Sequence, residues 1–397
     1  MSQIFESIAD WLLTRALEDA DLIETIQFLT KRLVEGGIPI SRFVAGRAQL
    51  HPLIAAYDVR WDAKSGRVEI TTVPRESFSL EAIRKTPFGS MDASRTQHIR
   101  ANLTKPEDVA KFELFEQLRE SGVTDYAAWT KEFFAESFEL RQGGTYTPGM
   151  TLSVCTNRHS GFSESDIAGF ESIKVPIFLC ARMFTERYLA RELLETYLGR
   201  NTGNRVLTGQ SARGDGETIE CVLFYSDMRG SSALSQQLDQ DEYLATLNRY
   251  YDCAAGAVQD HGGEVLKFVG DGILAIFPII EDQRPAPAMC TAALAAAQDA
   301  YARAARLEEP PLFGTALHVG KVVYGNVGTA NRLDYTATGA AVALTCRCEA
   351  TTKKLNSSIV STKEFNTICT TNGTPLEAHE IEGFDDPIEL FGWPVEN

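Results

Sequence analysis

At 397 residues and 44% hydrophobic content, the chain is long enough for two to three domains of roughly 100 to 200 residues each, which excludes a peptide or a single small module. Its 38 basic and 54 acidic residues leave a net charge of −16, a surface that repels phosphate backbones and anionic lipid and excludes general nucleic-acid binding. No apolar run reaches the roughly 18 residues of a membrane span, and the acid-studded start MSQIFESIADWLLTRALEDADLIE has no basic-then-apolar export pattern, so the expected location is cytoplasmic.

Helical periodicity appears first from Asp21 to Glu35, with Leu22, Ile23, Ile26, Leu29 and Leu33 on one stripe. Three strand-like runs follow, SRFVAGRA, LIAAYDVRW and RVEITTV, the last two joined around Ser65-Gly66. After an irregular middle, TLSVCTN reads as another strand, and a long helix is expected from about Ser165 to Leu198, kinked at Pro176. Residues 1–197 therefore read as an α/β domain. The stretch LGRNTGNRVLTGQSARGDGE, rich in Gly, Asn and Arg, reads as a linker over 198–216. Charge changes across it: residues 1–216 hold 26 basic and 29 acidic residues, and 217–397 hold 12 and 25.

In the domain expected over 217–397, IECVLFYS (219–226) is a buried strand ending at Asp227. A helix is expected over Ser232 to Gln259, closing at Gly262-Gly263. EVLKFV and GILAIF are strands joined through the tight turn Gly270-Asp271. Ala286 to Arg306 is helical, and LFGTALHVG (312–320) is a further strand. The order β-α-β-β-α-β is the ferredoxin-like arrangement of the α+β class, one antiparallel sheet with helices on one face. It sets the first strand beside the hairpin, so Asp227 and Asp271 converge. Two converging carboxylates suit Mg²⁺, which takes one or two protein carboxylates and completes its shell with water and substrate phosphate.

The remaining metal-binding residue types give no such pattern. The eight cysteines are dispersed without a CxxC pair and are expected to be reduced. Cys346 and Cys348, two apart on a helix, face different ways and make no zinc site. His261, His318 and His379 lie on separate elements, and His318 reads as a packed core histidine.

The blocks FYSDMRGSSALS, HGGEVLKFVGDGILAIF and ALHVGKVVYGNVGTANRLDYTATGAAV, with Arg347 beyond them, resemble the catalytic domain of the class III adenylate and guanylate cyclases over about residues 217–393. The resemblance implies a ferredoxin-like core with added elements and a homodimer whose active sites form at the interface. It makes Asp227, Asp271 and the Met228 carbonyl ligands of two Mg²⁺ per site, with Mn²⁺ as a possible substitute. It sets the amides of Gly230, Ser231 and Ser232 beside the phosphates. Lys267 matches the family's base-selecting lysine, a donor for adenine N1, and Thr336 the second base-selecting position, so the pair favours ATP. Arg347 matches the arginine that stabilises the α-phosphoryl group in the transition state. The implied enzyme is an adenylate cyclase, a phosphorus–oxygen lyase making 3′,5′-cyclic AMP and pyrophosphate in intracellular signalling.

The sequence also departs from that family. Ala343 replaces a customary Asn that positions the ribose, a loss worth on the order of 2 to 4 kcal/mol in the transition state. Gly314 stands where some members carry a phosphate-binding Arg. Glu382, Phe384 and Asp385 occupy a segment where a basic residue is frequent, and Ser231-Ser232 replace Phe-Thr. Two alternatives follow: a nucleotide-binding module of weak or no activity, and a diguanylate cyclase suggested by Gly262-Gly263-Glu264-Val265. The N-terminal half resembles a GAF-type sensory domain in arrangement, which implies a small-molecule or protein signal of unknown identity; the alternative there is a domain that only dimerises the chain.

Overall fold

The computed structural model describes residues 2–18, 21–48, 53–77, 79–133, 138–139, 145–146, 149–210 and 212–395, in two compact units, Met1–Leu193 and Leu194–Asn397. The first unit opens with α1 (Ser2–Leu17), a helix the sequence reading left unassigned, whose Phe5, Ile8, Leu12 and Ala16 are buried at helical spacing. In α2 (Leu22–Glu35) the carboxylate of Asp21 caps the start by accepting from the Glu24 N–H at 2.9 Å. The strands β1 (Arg42–Ala48), β2 (Ile54–Asp62) and β3 (Val68–Pro74) follow the expected runs.

The middle expected to be irregular is structured. It holds α3 (Leu80–Arg84), α4 (Pro87–Ser94), β4 (His98–Asn102), α5 (Pro106–Val109), α6 (Glu113–Glu120), β5 (Asp125–Glu132) and a small hairpin, β6 (Phe138–Glu139) with β7 (Thr145–Tyr146). Strands β1 to β5 and β8 (Gly149–Thr156) build a six-stranded antiparallel sheet of order β3-β2-β1-β8-β5-β4, with β6 and β7 paired separately. Alternate residues serve opposite faces. Ala127, Trp129 and Val154 pack with α1, α2 and the first half of α7 (Glu164–Leu198), a helix continuous through Pro176, whereas Tyr126, Ala128 and Cys155 pack with α4 and α6.

The second unit begins with the end of α7 and α8 (Arg200–Leu207), a helix lying inside the segment expected as a linker. It is tied down: the buried Glu264 carboxylate accepts from the Thr202 N–H at 3.2 Å, the Thr202 hydroxyl at 3.1 Å and Asn201 Nδ2 at 3.1 Å. Next come β9 (Gly216–Met228), α9 (Ser231–Gln237), α10 (Gln240–Asp260), β10 (Glu264–Val269), β11 (Gly272–Pro278), α11 (Ala286–Ala304) and β12 (Phe313–Gly328). The one helix expected over 232–259 is two, because Leu238 turns extended and Asp239 caps α10 by accepting from the Glu242 N–H at 2.9 Å. The strand expected to stop at residue 320 runs on to Gly328 and folds back as β13 (Leu333–Thr338).

The sheet order β10-β11-β9-β12 is ferredoxin-like, with the first strand between the hairpin and the last strand. After α12 (Ala340–Thr351), β14 (Ile359–Thr362) pairs parallel to β12, and α13 (Lys363–Ile368), β15 (Thr374–Pro375) and β16 (Leu390–Trp393) complete the edge. Helices do not keep to one face as expected. α10 and α11 cover the face of Val222 and Phe224, while α12 and β13 cover that of Cys221 and Leu223. Glu264 begins β10 after a turn at Gly262, and the hairpin itself turns at Gly270-Asp271, which separates the arrangement from a Gly-Gly hairpin. Among the described residues no helix is long and apolar enough to cross a membrane.

Candidate active site

Strand pairing alone brings the two aspartates together. Asp227 stands opposite Gly272 on β11 and opposite Gly314 on β12, so a glycine flanks it on either side. Val269 and Gly272 close the hairpin, Gly270 takes the left-handed φ of 63° that the two-residue turn needs, and Asp271 occupies the tip. The Met228 N–H donates to the Asp271 carbonyl at 3.3 Å, locking the tip against the end of β9. A side chain at either glycine would force its neighbours to shift: a Cβ on Gly272 would sit 2.6 Å from the Tyr225 hydroxyl and 3.0 Å from Asp227 Oδ1, and one on Gly314 would overlap the Glu349 carboxylate and the Thr352 hydroxyl. Gly314, considered from sequence as a lost phosphate ligand, is thus a space filled from α12.

Three acids crowd this corner. Burial, and then the neighbouring Asp271, push the half-buried Asp227 carboxyl up to about 6. Burial, and then Asp227, push the buried Glu349 up to about 7, with the Thr352 hydroxyl at 3.3 Å as its near partner. Negative charge is held here against solvation, and a divalent cation would relieve it. Among the described residues no group of three or more His, Cys, Asp or Glu could hold a metal; Asp227 and Asp271 are a pair, a donor set that could hold Mg²⁺ only with water or substrate oxygens completing its shell.

The other sequence-predicted residues fall into two groups. Met228 is buried and Gly230, at φ 77°, turns the chain into α9, whose first residues are Ser231 and Ser232, so this group adjoins the aspartates. The Gly230 carbonyl accepts from Ala233 and Leu234, which leaves the opening amides of the helix without intrahelical acceptors. Lys267 and Thr336 lie apart, on the adjoining strands β10 and β13. Lys267 pairs with Leu274, which pairs with Tyr225, so it shares a sheet face with Asp227 two strands away. Thr336 is buried, its hydroxyl 3.4 Å from the Ala337 carbonyl. Arg347 is on the exposed side of α12, one turn beyond the exposed Ala343, and forms an ion pair with Glu382.

Glu349 and Tyr225 were not singled out from sequence. A glutamate two residues after Arg347 carries no sign of burial until Gly314 on a distant strand is seen to leave room for it. His318 is buried as expected, its Nδ1 2.8 Å from the Thr362 hydroxyl, and burial holds its pKa down. Cys346 is partly exposed, Cys348 is buried, and all eight cysteines are free.

The second unit also matches known proteins. Residues 216–383 match the family described as Adenylate and Guanylate cyclase catalytic domain. The chain is 30% identical over 179 residues to Adenylate cyclase 1 of Rhizobium meliloti, covering 43% of this chain and 27% of that one. It is 31% identical over 190 residues to an adenylate cyclase of Anabaena cylindrica, covering 45% and 37%. Thus the chain spans about a quarter to little more than a third of these relatives' lengths. Among solved structures, the adenylyl cyclase CyaB from P. aeruginosa aligns at 22% identity and a TM-score of 0.40, covering 46% of this chain and 97% of that one. The guanylyl cyclase Cya2 aligns at 24% identity and a TM-score of 0.40, covering 45% and 92%.

Proposed function

We propose that this chain, whose residues 216–383 belong to the adenylate and guanylate cyclase catalytic domain family, converts ATP to 3′,5′-cyclic AMP and pyrophosphate at sites shared by two copies. The observation that carries this reading is the Asp227–Asp271 pair, one acid near the end of β9 and one at the tip of the adjoining hairpin, of which the first is pushed up to about 6. Asp227 and Asp271, with the Met228 carbonyl, would hold two Mg²⁺ per site, or Mn²⁺. Bound there, the ions neutralise triphosphate charge and polarise the reacting oxygens.

The chain's own groups supply the rest. The amides of Gly230, Ser231 and Ser232 meet the phosphates. Lys267 donates to adenine N1 and Thr336 accepts from the amino group, orienting the base. Arg347, released from Glu382, donates to the α-phosphoryl oxygens as the 3′ oxygen attacks phosphorus; the bond to the β-phosphate oxygen breaks, pyrophosphate leaves, and the hydroxyl proton passes to solvent. The separation of Lys267 and Thr336 from the aspartates within one chain supports a site completed by a second copy. The names of the Rhizobium meliloti and Anabaena cylindrica relatives, both adenylate cyclases, support ATP over GTP. The antiparallel sheet of the first unit, covered by helices on both faces, supports a GAF-like sensory role there.

Incubating the purified chain with ATP or GTP and Mg²⁺ or Mn²⁺ tests this: cyclic AMP from ATP is expected, with GTP the poorer substrate. A second reading, nucleotide binding without turnover, is favoured by the alanine at position 343, which offers no amide to the ribose; nucleotide bound without cyclic product would select it.

A further inference from the structure

The first unit contains a cavity of about 580 Å³, inside the roughly 300 to 1,000 Å³ range of small-molecule sites. It lies where the end of α1, the start of α2, β2, β3 and residues 183–191 of α7 meet, with apolar walls from Leu22, Ile54, Ile70 and Phe184. One wall group differs in kind. Tyr57 is 6% exposed and its hydroxyl has no hydrogen-bond partner among the described residues, a state that buried polar groups rarely keep unless something completes it. Directly across the β1–β2 ladder stands Arg47, 3% exposed. Its Nη2 pairs with Glu186 at 3.0 Å, but Nε and Nη1 have no hydrogen-bond partner among the described residues. A guanidinium can only donate, and burial raises the Tyr57 phenol so that it stays protonated and keeps an O–H to donate, while its oxygen can still accept. Together the two residues hold more unpaired donors than acceptors, and Tyr57 is the one of them that lines the cavity, so an acceptor completes the pair best there.

We propose that the cavity binds a small organic molecule with an apolar body and an acceptor oxygen at one end, a carboxylate or carbonyl compound, whose oxygen bonds to the Tyr57 hydroxyl. Glu18, Asp21, Arg187 and Arg191 at the wall balance in sign, so selection rests on Tyr57 rather than on net charge. The inference rests on the proposed sensory role of this unit and gives its signal a chemical class; it does not depend on turnover by the second unit.

The test is calorimetric titration of the full chain with decanoate and with decylammonium, which has the same body but only donors. Decanoate is expected to bind, and decylammonium to bind at least about tenfold more weakly, the equivalent of one good hydrogen bond. Tyr57→Phe, which keeps the wall's shape, should erase that difference. Thr72→Trp, at an exposed wall position on β3, should weaken decanoate by filling the space, with thermal melts confirming that both variants fold. No binding of decanoate, equal affinity for the two probes, or a preference that survives in folded Tyr57→Phe would overturn the proposal. Because the readout is binding alone, a chain that makes no cyclic AMP but still prefers decanoate separates failure of the catalytic reading from failure of this one.

Discussion

Gly314 stands opposite Asp227 across the β9–β12 ladder, and the space its missing side chain would fill is taken by the carboxylate of Glu349. The packing of this acidic corner therefore depends on a residue with no side chain. Gly314→Ala is expected to force Glu349 and Thr352 aside and to destabilise the protein by about 1 to 3 kcal/mol, the usual penalty for overpacking. Thermal melting checks this, and adding Glu349→Ala should restore part of the loss because the two sites share one space. An unchanged melt for Gly314→Ala would show that the carboxylate moves away freely.

The same crowding fixes a pH dependence. Burial and like charge hold Asp227 at about 6 and Glu349 at about 7 in the folded chain, above the ordinary carboxylate range. As pH rises, the unfolded chain ionises first, so stability falls between about pH 4 and pH 7 and stays low above it. Glu349→Gln cannot ionise. In metal-free protein its stability advantage over the parent should widen from about pH 5 to pH 8, and Mg²⁺ should lessen the parent's decline if the cation settles on Asp227. Melts in chelator at both pH values decide the sign; an advantage that shrinks as pH rises would contradict the assignment.

How far the site could be read from sequence follows from where its information lies. The convergence of Asp227 and Asp271 was legible because a β-rich run ending in Asp and a Gly-Asp hairpin fix register locally, and the ferredoxin-like order sets those strands side by side. The role of Glu349 was not, since its burial depends on Gly314 in a strand remote in sequence. Leu238-Asp239 interrupts a periodic helix stretch with one extended residue and a cap, a break too short to disturb the apolar spacing. In the first unit β5 escaped notice because Asp125 to Trp129 are buried on both faces, which removes the alternation that marks a strand.

Glu264 is expected to matter for stability out of proportion to its surface. Its buried carboxylate accepts from Thr202, Asn201 and, at 2.9 Å, the Tyr324 hydroxyl, holding α8 to β10 and β12. Glu264→Ala strands those donors in the interior and should cost on the order of 3 kcal/mol. Thr202→Val, which keeps its shape and its N–H bond, should cost less. Equal melts for Glu264→Ala and the parent would mean that water takes over the carboxylate's place.

Base choice and turnover are separable. Lys267→Glu should erode the proposed preference for ATP over GTP, because a carboxylate cannot donate to adenine N1. Ala343→Asn should raise turnover, since position 343 is exposed on the same side of α12 as Arg347 and has room for an amide. Product assays with both nucleotides check each: an unaltered ATP-to-GTP ratio would remove Lys267 from base selection, and unaltered turnover would mean that another group already positions the ribose.

The most direct measurement mixes two inactive variants. Asp227→Ala lacks a proposed metal carboxylate and Arg347→Ala lacks the proposed α-phosphoryl arginine, and neither change removes core packing. If each active site takes its aspartates from one copy and its arginine from the other, a mixed dimer carries one wholly intact site. Cyclic AMP production should then return to about a quarter of the parent's rate in a random mixture of two-fold dimers. No recovery, with both variants folded and shown to exchange subunits, would contradict the shared two-carboxylate site.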